Sequence, residues 1–275
     1  MRSHFGRFCS IAVVLTMVAG IAGAETLAAN WCSVANVANP PAGVVPTLGW
    51  NDFTGPAGFS PTDSSSDPLY ASGATATGVT VSWTTSDGGS QNTNDYVLRP
   101  SDIQDGHDEM MAGYLQASKY SSAEPVITLE VTGLNVQDFG GSYDVYVYFD
   151  GDDDVTGATS RAMFRIYDSK ATFDGGGGPL LTYFGRDDGS DFAVDHTVAG
   201  DLSDYEQIVS TDEFNPTAGN YVQFSGLELD QFYVRIVGVA GQHGVAMNGF
   251  QVVREPTTMA LLGLGGIAAI FRRRK

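Results

Sequence analysis

Acidic side chains are the residues of this 275-residue chain whose type and spacing best suit a specific chemistry. Asp150, Asp152 and Asp154 alternate along one turn, and a second acidic turn covers residues 186–191. Carboxylates at this spacing, beside free backbone carbonyl groups, supply the hard oxygen ligands that calcium prefers. The turn is not an EF-hand, because Arg161 stands where that loop requires a glutamate. The first turn is therefore a candidate calcium site, and the alternative is a solvated acidic turn that discourages pairing between sheet edges.

Aromatic rings form a second candidate site. Tyr146, Tyr148 and Tyr233 fall on strand faces opposite to the apolar residues that are expected to form the core. Exposed aromatic rings have one apolar face and a polar tip, which suits stacking on sugar rings. The three tyrosines therefore predict a carbohydrate platform on a sheet, and the alternative is that they pack under a loop as structural side chains.

Catalytic motifs are absent from the sequence. His107, His196 and His243 are far apart and show no metal-binding spacing, and no G-x-S-x-G elbow occurs. Pairs of carboxylates are abundant, but no apolar context marks one of them as a general acid. We therefore expect a protein that is not an enzyme, with a polysaccharide-active enzyme as the third alternative.

The elements that must position these side chains are β-strands. Apolar and polar residues alternate with period two, which is typical of strands with one buried face. Clusters of Gly, Asp, Asn and Pro separate the strands. Many antiparallel strands of this kind predict an all-β antiparallel sandwich of two sheets packed on one core. The predicted strands are residues 79–84, 127–132, 143–149, 162–167, 180–184, 221–225, 231–236 and 246–253.

One short helix is predicted in Asp108–Ser118. Two methionines, Tyr114 and Leu115 share one helical face there, and acidic residues lie in the first turn. No interdomain linker is recognisable in the remaining sequence. Residues 25–253 are therefore predicted to form a single sandwich domain.

The charge of the chain excludes one class of function. It has 14 basic and 32 acidic residues, so its formal net charge is −18. A surface this acidic repels phosphate backbones and anionic membrane surfaces. Nucleic acid is therefore not expected as a partner, whereas cations, neutral sugars and basic partners are compatible with the charge.

Residues 1–24 have the three parts of a secretory signal peptide. Two arginines precede the apolar run Ile11–Ile21, and Ala22–Ala24 supplies the small residues that a signal peptidase requires. These features predict export and a mature chain that begins near Glu25.

Residues 254–275 have the parts of a second targeting segment. Glu255 and Pro256 precede the apolar run Met259–Phe271, which is shorter than the roughly 20 residues that span a bilayer comfortably. The run predicts a C-terminal hydrophobic anchor helix in the membrane, with the basic end on the cytoplasmic side. The basic residues that follow it are Arg272, Arg273, Arg274 and Lys275.

This order of parts resembles the PEP-CTERM sorting signal of Gram-negative bacteria, which is also labelled an ice-binding protein C-terminal domain. The resemblance implies that an exosortase-type membrane transpeptidase is a partner and cuts near Glu255 and Pro256. It also implies inner-membrane anchoring before processing, followed by a location at the cell surface or in the exopolysaccharide. The sorting residues that the resemblance assigns are Glu255, Pro256, Arg272, Arg273 and Arg274.

The body of the chain carries a second resemblance. Its motifs resemble exported β-sandwich proteins of planctomycete-type bacteria, which are related in style to galactose-binding-like jelly rolls. The resemblance implies a jelly-roll sandwich near carbohydrate, and it transfers no catalytic residue. The motifs are residues 110–115, 131–134, 143–149, 219–224 and 247–253.

Together these observations predict an exported, surface- or exopolysaccharide-associated protein without catalysis, which is structural or adhesive. The alternative is a calcium-assisted carbohydrate-binding module, which would also bind extracellular polysaccharide.

Overall fold

The structure is a computed structural model. It describes residues 25–31, 42–53, 57–60, 68–86, 90–92, 107, 110–111, 113–117, 124–150, 161–186, 202–238 and 245–255. The predicted signal peptide and the predicted anchor helix lie outside these residues.

Extended strands make up most of the described chain, as the period-two alternation predicts. Each predicted strand is present, although the strand predicted over residues 246–253 is divided at Asn248. The strands are β1 Thr26–Asn30, β2 Asn51–Asp52, β3 Ala57–Ser60, β4 Thr80–Thr85, β5 Ser90–Asn92, β6 Tyr114–Ala117, β7 Val126–Thr132, β8 Tyr143–Tyr148, β9 Arg161–Tyr167, β10 Leu181–Arg186, β11 Gln207–Ile208, β12 Thr217–Ala218, β13 Tyr221–Leu227, β14 Gln231–Gly238, β15 Val245–Met247 and β16 Gly249–Arg254.

Two large sheets form the sandwich. The six-stranded sheet has the order β11-β13-β8-β16-β1-β2, and the seven-stranded sheet has the order β12-β10-β9-β14-β7-β4-β3. Neighbouring strands are antiparallel apart from the short parallel pairs β1–β2, β10–β12 and β11–β13. A small third sheet has the order β15-β6-β5. This arrangement confirms the predicted all-β sandwich, and the finer jelly-roll resemblance stays a prediction.

Apolar side chains from both large sheets form one core between them. The rings of Trp31 and Trp83 meet edge to face at 5.8 Å between centroids, and those of Phe149 and Phe164 do so at 5.2 Å. Edge-to-face contacts of this kind add about 0.5–1.5 kcal/mol each to the free energy gained by burying the rings. The inward set predicted for β8, which includes Val145 and Val147, belongs to this core.

The prediction of a helix in Asp108–Ser118 is wrong for its second half. Met110 and Met111 are helical, but Tyr114–Ala117 form β6 and pair with β15. Tyr114 and Leu115 on adjacent positions are both buried, which a strand between two layers allows as well as a helix does. The apolar spacing therefore did not distinguish the two periods.

Helix α1, Lys170–Gly175, follows β9 and was not among the elements predicted from the sequence. Ser169 caps its first turn, because the hydroxyl oxygen accepts a hydrogen bond from the Thr172 amide. Gly176 ends it with a left-handed φ of 71°. Burial of Phe173 against the outer face of the seven-stranded sheet holds this short helix in place.

Candidate ligand cleft on the seven-stranded sheet

A cleft of about 340 Å³ lies where β14 ends and β9 begins. The adjacent strands β10, β9 and β14 of the seven-stranded sheet line it, together with the loop between β11 and β12 and with Glu124. Its lining residues are Glu124, Arg161, Ala162, Met163, Phe184, Gly185, Glu213, Phe214, Pro216, Val237 and Gly238.

The floor of the cleft includes an apolar row on the outer face of the sheet. Val237 pairs with Met163 on β9, which pairs in turn with Phe184 on β10. The residues beside them in sequence, such as Ile236 and Phe164, point into the core. Period-two alternation therefore places the row on the outer face, where Val237 is buried and Met163 and Phe184 are half-buried.

The most exposed aromatic ring of the described chain belongs to the cleft. Phe214 is 87% exposed, although burying a phenylalanine side chain is favourable by about 1.5–3 kcal/mol. Its turn is ordered by Asp212, whose carboxylate accepts hydrogen bonds from the Phe214 amide at 2.9 Å and the Asn215 side chain at 2.6 Å. These bonds lower the pKa of Asp212, with the Asn215 bond as the larger cause. The ring is thus held out to solvent by a hydrogen-bonded turn.

Three charged side chains border the cleft. Glu124, Arg161 and Glu213 are exposed, and none of them has an ion pair or a side-chain hydrogen bond among the described residues. Two carboxylates can accept hydrogen bonds and a guanidinium can donate them. A concave site with an apolar floor, an open ring and a few polar groups suits a small uncharged polar ligand such as a sugar ring.

The structure places the predicted stacking residues Tyr146 and Tyr148 elsewhere, on the outer face of the six-stranded sheet. Tyr146 is 8% exposed and Tyr148 is fully buried. Segment 42–50 covers them: the Val44 amide donates to the Tyr148 hydroxyl group at 2.9 Å, and that hydroxyl donates to the side chain of Gln251. Burial raises the pKa of Tyr146 to about 12 and that of Tyr148 well above its usual value. Neither ring is open for a sugar to stack on.

Tyr233 is also buried, on the other sheet. Helix α1 covers it, and its ring centroid lies 5.4 Å from that of Phe173. Lys170 lies over the same ring at 5.8 Å. The predicted carbohydrate platform of three tyrosines does not form, because the tyrosines lie on two different sheets, with segment 42–50 covering two of them and helix α1 covering the third.

The predicted calcium site is described only at its first residue. Asp150 is buried, and its amide donates to the Asn248 side chain at 2.7 Å. Asp152 and Asp154 lie outside the described residues. Within the described part of the chain, no three His, Cys, Asp or Glu side chains are grouped closely enough to hold a metal ion.

Of the predicted sorting residues, only Glu255 is described. It follows directly on β16, and its carboxylate accepts a hydrogen bond from the Ser142 hydroxyl group at 3.0 Å. Pro256, Arg272, Arg273 and Arg274 lie outside the described residues. Across the part of the chain that the structure describes, every helix is too short or too polar to cross a bilayer.

The sequence carried one overlooked signal for the cleft. Residues 214–219 read as a turn between strands, and a large apolar side chain such as Phe214 inside a turn has no core face to occupy. The other lining residues come from segments up to about a hundred positions apart, and only strand pairing brings them together.

Comparison with known proteins gives one sequence match. Residues 255–275 match the family described as the PEP-CTERM protein-sorting motif. This motif implies an exported protein that is sorted by an exosortase. No curated protein sequence matches the chain.

Two solved structures show distant similarity. An isomalto-dextranase of Arthrobacter globiformis T6, complexed with panose, aligns with 64% of this chain at 13% identity and a TM-score of 0.30. Tailspike protein 4 of bacteriophage CBA120, in its enzymatically active domain, aligns with 64% of this chain at 10% identity and a TM-score of 0.28. The alignments cover 23% and 19% of those proteins.

Proposed function

We propose that this protein works without catalysis as a structural or adhesive component of the cell surface or its extracellular polysaccharide. In this proposal an exosortase-type enzyme sorts it through residues 255–275, and the cleft holds polysaccharide chains. The observation that carries the binding role is the 87% exposed ring of Phe214 beside unpaired polar side chains.

The cleft would hold a sugar ring through two kinds of contact. The apolar face of the sugar packs on Phe214 and on the floor formed by Met163 and Phe184. Its hydroxyl groups donate to Glu124 or Glu213 and accept from Arg161. A protein that adheres to a polymer gains from many such weak contacts, because several copies engage one chain.

Replacing the exposed ring tests the binding role. The full chain in mild detergent is screened against immobilised neutral and acidic polysaccharides, and the glycan that is retained is titrated by calorimetry. Phe214→Ala should weaken binding roughly three- to tenfold, because an aromatic contact contributes about 0.5–1.5 kcal/mol. Leu48→Ala is the matched control, since Leu48 is also an exposed apolar residue, 50% exposed, and belongs to segment 42–50 on the other sheet rather than to the cleft lining.

Two results would contradict this binding role: unchanged affinity in Phe214→Ala, or an equal loss in Leu48→Ala. The titration is repeated with a chelator, because the alternative, a calcium-assisted module, predicts that binding then disappears. We expect equal binding in both buffers, since the cleft offers single carboxylates to hydroxyl groups rather than a grouped set of metal ligands.

A hydrolysis assay tests the absence of catalysis. The retained glycan is incubated with the protein, and new reducing ends are counted. We expect none above the buffer blank. Release of reducing ends that Glu124→Gln or Glu213→Gln abolishes would replace the proposal with a polysaccharide-active enzyme, because paired carboxylates carry that chemistry.

The sorting role is tested in a host with and without an exosortase gene. The wild-type chain should be processed to a faster-migrating form only where the enzyme is present. Changing Glu255 and Pro256 to alanine together should leave it unprocessed, whereas the neighbouring change of Thr257 and Thr258 to alanine is the control. Processing of the first variant would refute recognition at these residues.

A further inference from the structure

We propose that Arg165 and Arg235 bind an oxyanion of an acidic polysaccharide, which is either a uronic acid carboxylate or a sulfate ester. The inference rests on the proposed function, because it names the class of polysaccharide that the protein would hold. It concerns a different part of the same sheet face as the cleft.

The two arginines are direct neighbours on the outer face of the seven-stranded sheet. Arg165 on β9 is the cross-strand partner of Arg235 on β14. Phe164 and Ile236, which are adjacent to them in sequence, point into the core. Alternation along each strand therefore places both guanidinium groups on the same outer face.

Helix α1 fixes the Arg235 guanidinium. Its Nη2 donates to the Phe173 carbonyl oxygen at 3.0 Å, and its central carbon lies 4.4 Å from the centroid of the Phe173 ring. It also lies 5.9 Å from the ring of Tyr167. A guanidinium held over an aromatic ring by a hydrogen bond keeps its remaining N–H groups pointing in fixed directions, which suits recognition of a planar or tetrahedral oxyanion.

The Arg165 guanidinium lacks a partner within the described residues. Its Nε is buried and has no hydrogen bond, and neither arginine forms an ion pair with any residue that the structure describes. Two acids on this side of the sheet, Glu130 and Asp174, are paired with Lys170 at 2.6 and 3.5 Å. Like charges on directly paired strand positions repel each other, and a buried donor without a partner is unfavourable. An oxyanion bound by the outer N–H groups of both guanidinium groups would remove the repulsion between them.

Hydroxyl groups extend the pair into a polar row across the sheet. The register places Thr128 beside Arg235, Thr84 beside Thr128, and Thr182 beside Arg165. The row crosses five strands and is therefore about 19 Å long at a strand spacing of about 4.8 Å. This length suits an extended oligosaccharide whose charged group sits at the centre and whose hydroxyl groups contact the threonines.

The arginine pair and the cleft follow each other on one surface. Met163 and Val237 of the cleft floor lie two residues from Arg165 and Arg235 on the same strands. Two residues along a strand correspond to about 7 Å. A polysaccharide chain that enters the cleft thus meets the arginine pair within one or two sugar units, in a protein whose net charge of −18 otherwise repels anions.

Affinity electrophoresis of the full chain in mild detergent tests this assignment. The gels contain polygalacturonate, dextran sulfate or unmodified dextran as the probe. We expect retardation by one or both acidic polymers. Arg165→Gln should weaken it about tenfold or more, because a hydrogen bond to a charged group contributes about 1.5–3 kcal/mol to binding. Retardation by polygalacturonate alone would identify a carboxylate, and retardation by dextran sulfate alone would identify a sulfate ester.

Controls separate this site from non-specific charge and from the cleft. Arg186→Gln removes the same charge from an exposed position at the end of β10 and should leave retardation unchanged. Arg235→Gln should act like Arg165→Gln, and near-ultraviolet circular dichroism shows whether α1 stays packed in it. The proposal is overturned if neither acidic polymer retards the protein, if Arg165→Gln behaves as wild type, or if Arg186→Gln loses as much. Binding to unmodified dextran and its loss in Phe214→Ala report on the cleft separately.

Discussion

Replacing Asn248 with alanine should cost far more free energy of unfolding than the same change at an exposed asparagine. Asn248 is completely buried at the point where β15 passes into β16. Its side-chain oxygen accepts from the Asp150 amide at 2.7 Å, and its side-chain nitrogen donates to the Met111 carbonyl oxygen at 2.7 Å. One side chain therefore joins the end of β8, a helical segment and the last strand.

The magnitude follows from what alanine would leave behind. The Asp150 amide and the Met111 carbonyl would both lose their partner in a buried place. An unsatisfied buried polar group costs about 1–3 kcal/mol, so the two together predict a loss of about 2–6 kcal/mol. The total stability of a domain is typically about 5–15 kcal/mol, and the variant should therefore be close to unfolding.

Asn135→Ala is the matched control. Asn135 also makes two side-chain hydrogen bonds, to the Gln137 amide at 3.2 Å and the Asp138 carboxylate at 2.8 Å, but it is exposed. Asn135 caps the short 3-10 helix Val136–Phe139. Water can replace both bonds, so only the loss of this cap, roughly 0.5–2 kcal/mol, is expected. Urea titrations followed by circular dichroism give the free energy of unfolding of each variant. Equal losses at positions 248 and 135 would refute the argument that burial sets the cost.

Two other substitutions test local features of the fold. Gly133→Ala should lower the free energy of unfolding by about 1–3 kcal/mol more than Gly73→Ala. Both glycines have positive φ, but only at Gly133 would the new Cβ overlap a backbone carbonyl, that of Gly78. Urea titration gives both free energies, and equal losses would contradict this reasoning. Asp144→Asn should gain stability relative to wild type as the pH rises from about 4, because burial, with repulsion from Glu255, raises the pKa of Asp144. Because the pKa of Asp144 is raised in the folded state, its carboxyl stabilises the wild-type fold below the unfolded value of 3.8, and this stabilisation is lost as the pH rises through the folded-state pKa. A stability difference between the two proteins that stays constant from about pH 4 upward would refute the assignment.

Strand positions and their faces were predictable because they depend on local alternation. The inward residues of β8 and β14, such as Val145 and Val234, are core residues in the structure as the period-two pattern predicts. At Tyr114 and Leu115 a helix and a strand would bury the same side chains, so the local pattern could not distinguish the two conformations. Pairing with β15 makes this segment a strand.

The sorting motif was determined by the sequence alone, because recognition of such a segment depends on the order of its residues rather than on a fold. Whether the outward-facing tyrosines are exposed or buried was decided by the tertiary structure. Alternation placed Tyr148 and Tyr233 on outer faces, but segment 42–50 and helix α1 cover those faces, and no local pattern specifies which distant segment covers a sheet.

The cleft and the arginine pair also exist only in the tertiary structure. Arg165 and Arg235 are 70 positions apart in the sequence, and the register of β9 against β14 makes them neighbours. A shift of that register by one residue would place their side chains on opposite faces. The sequence therefore determined which side chains point outward, and long-range strand pairing determined which of them meet.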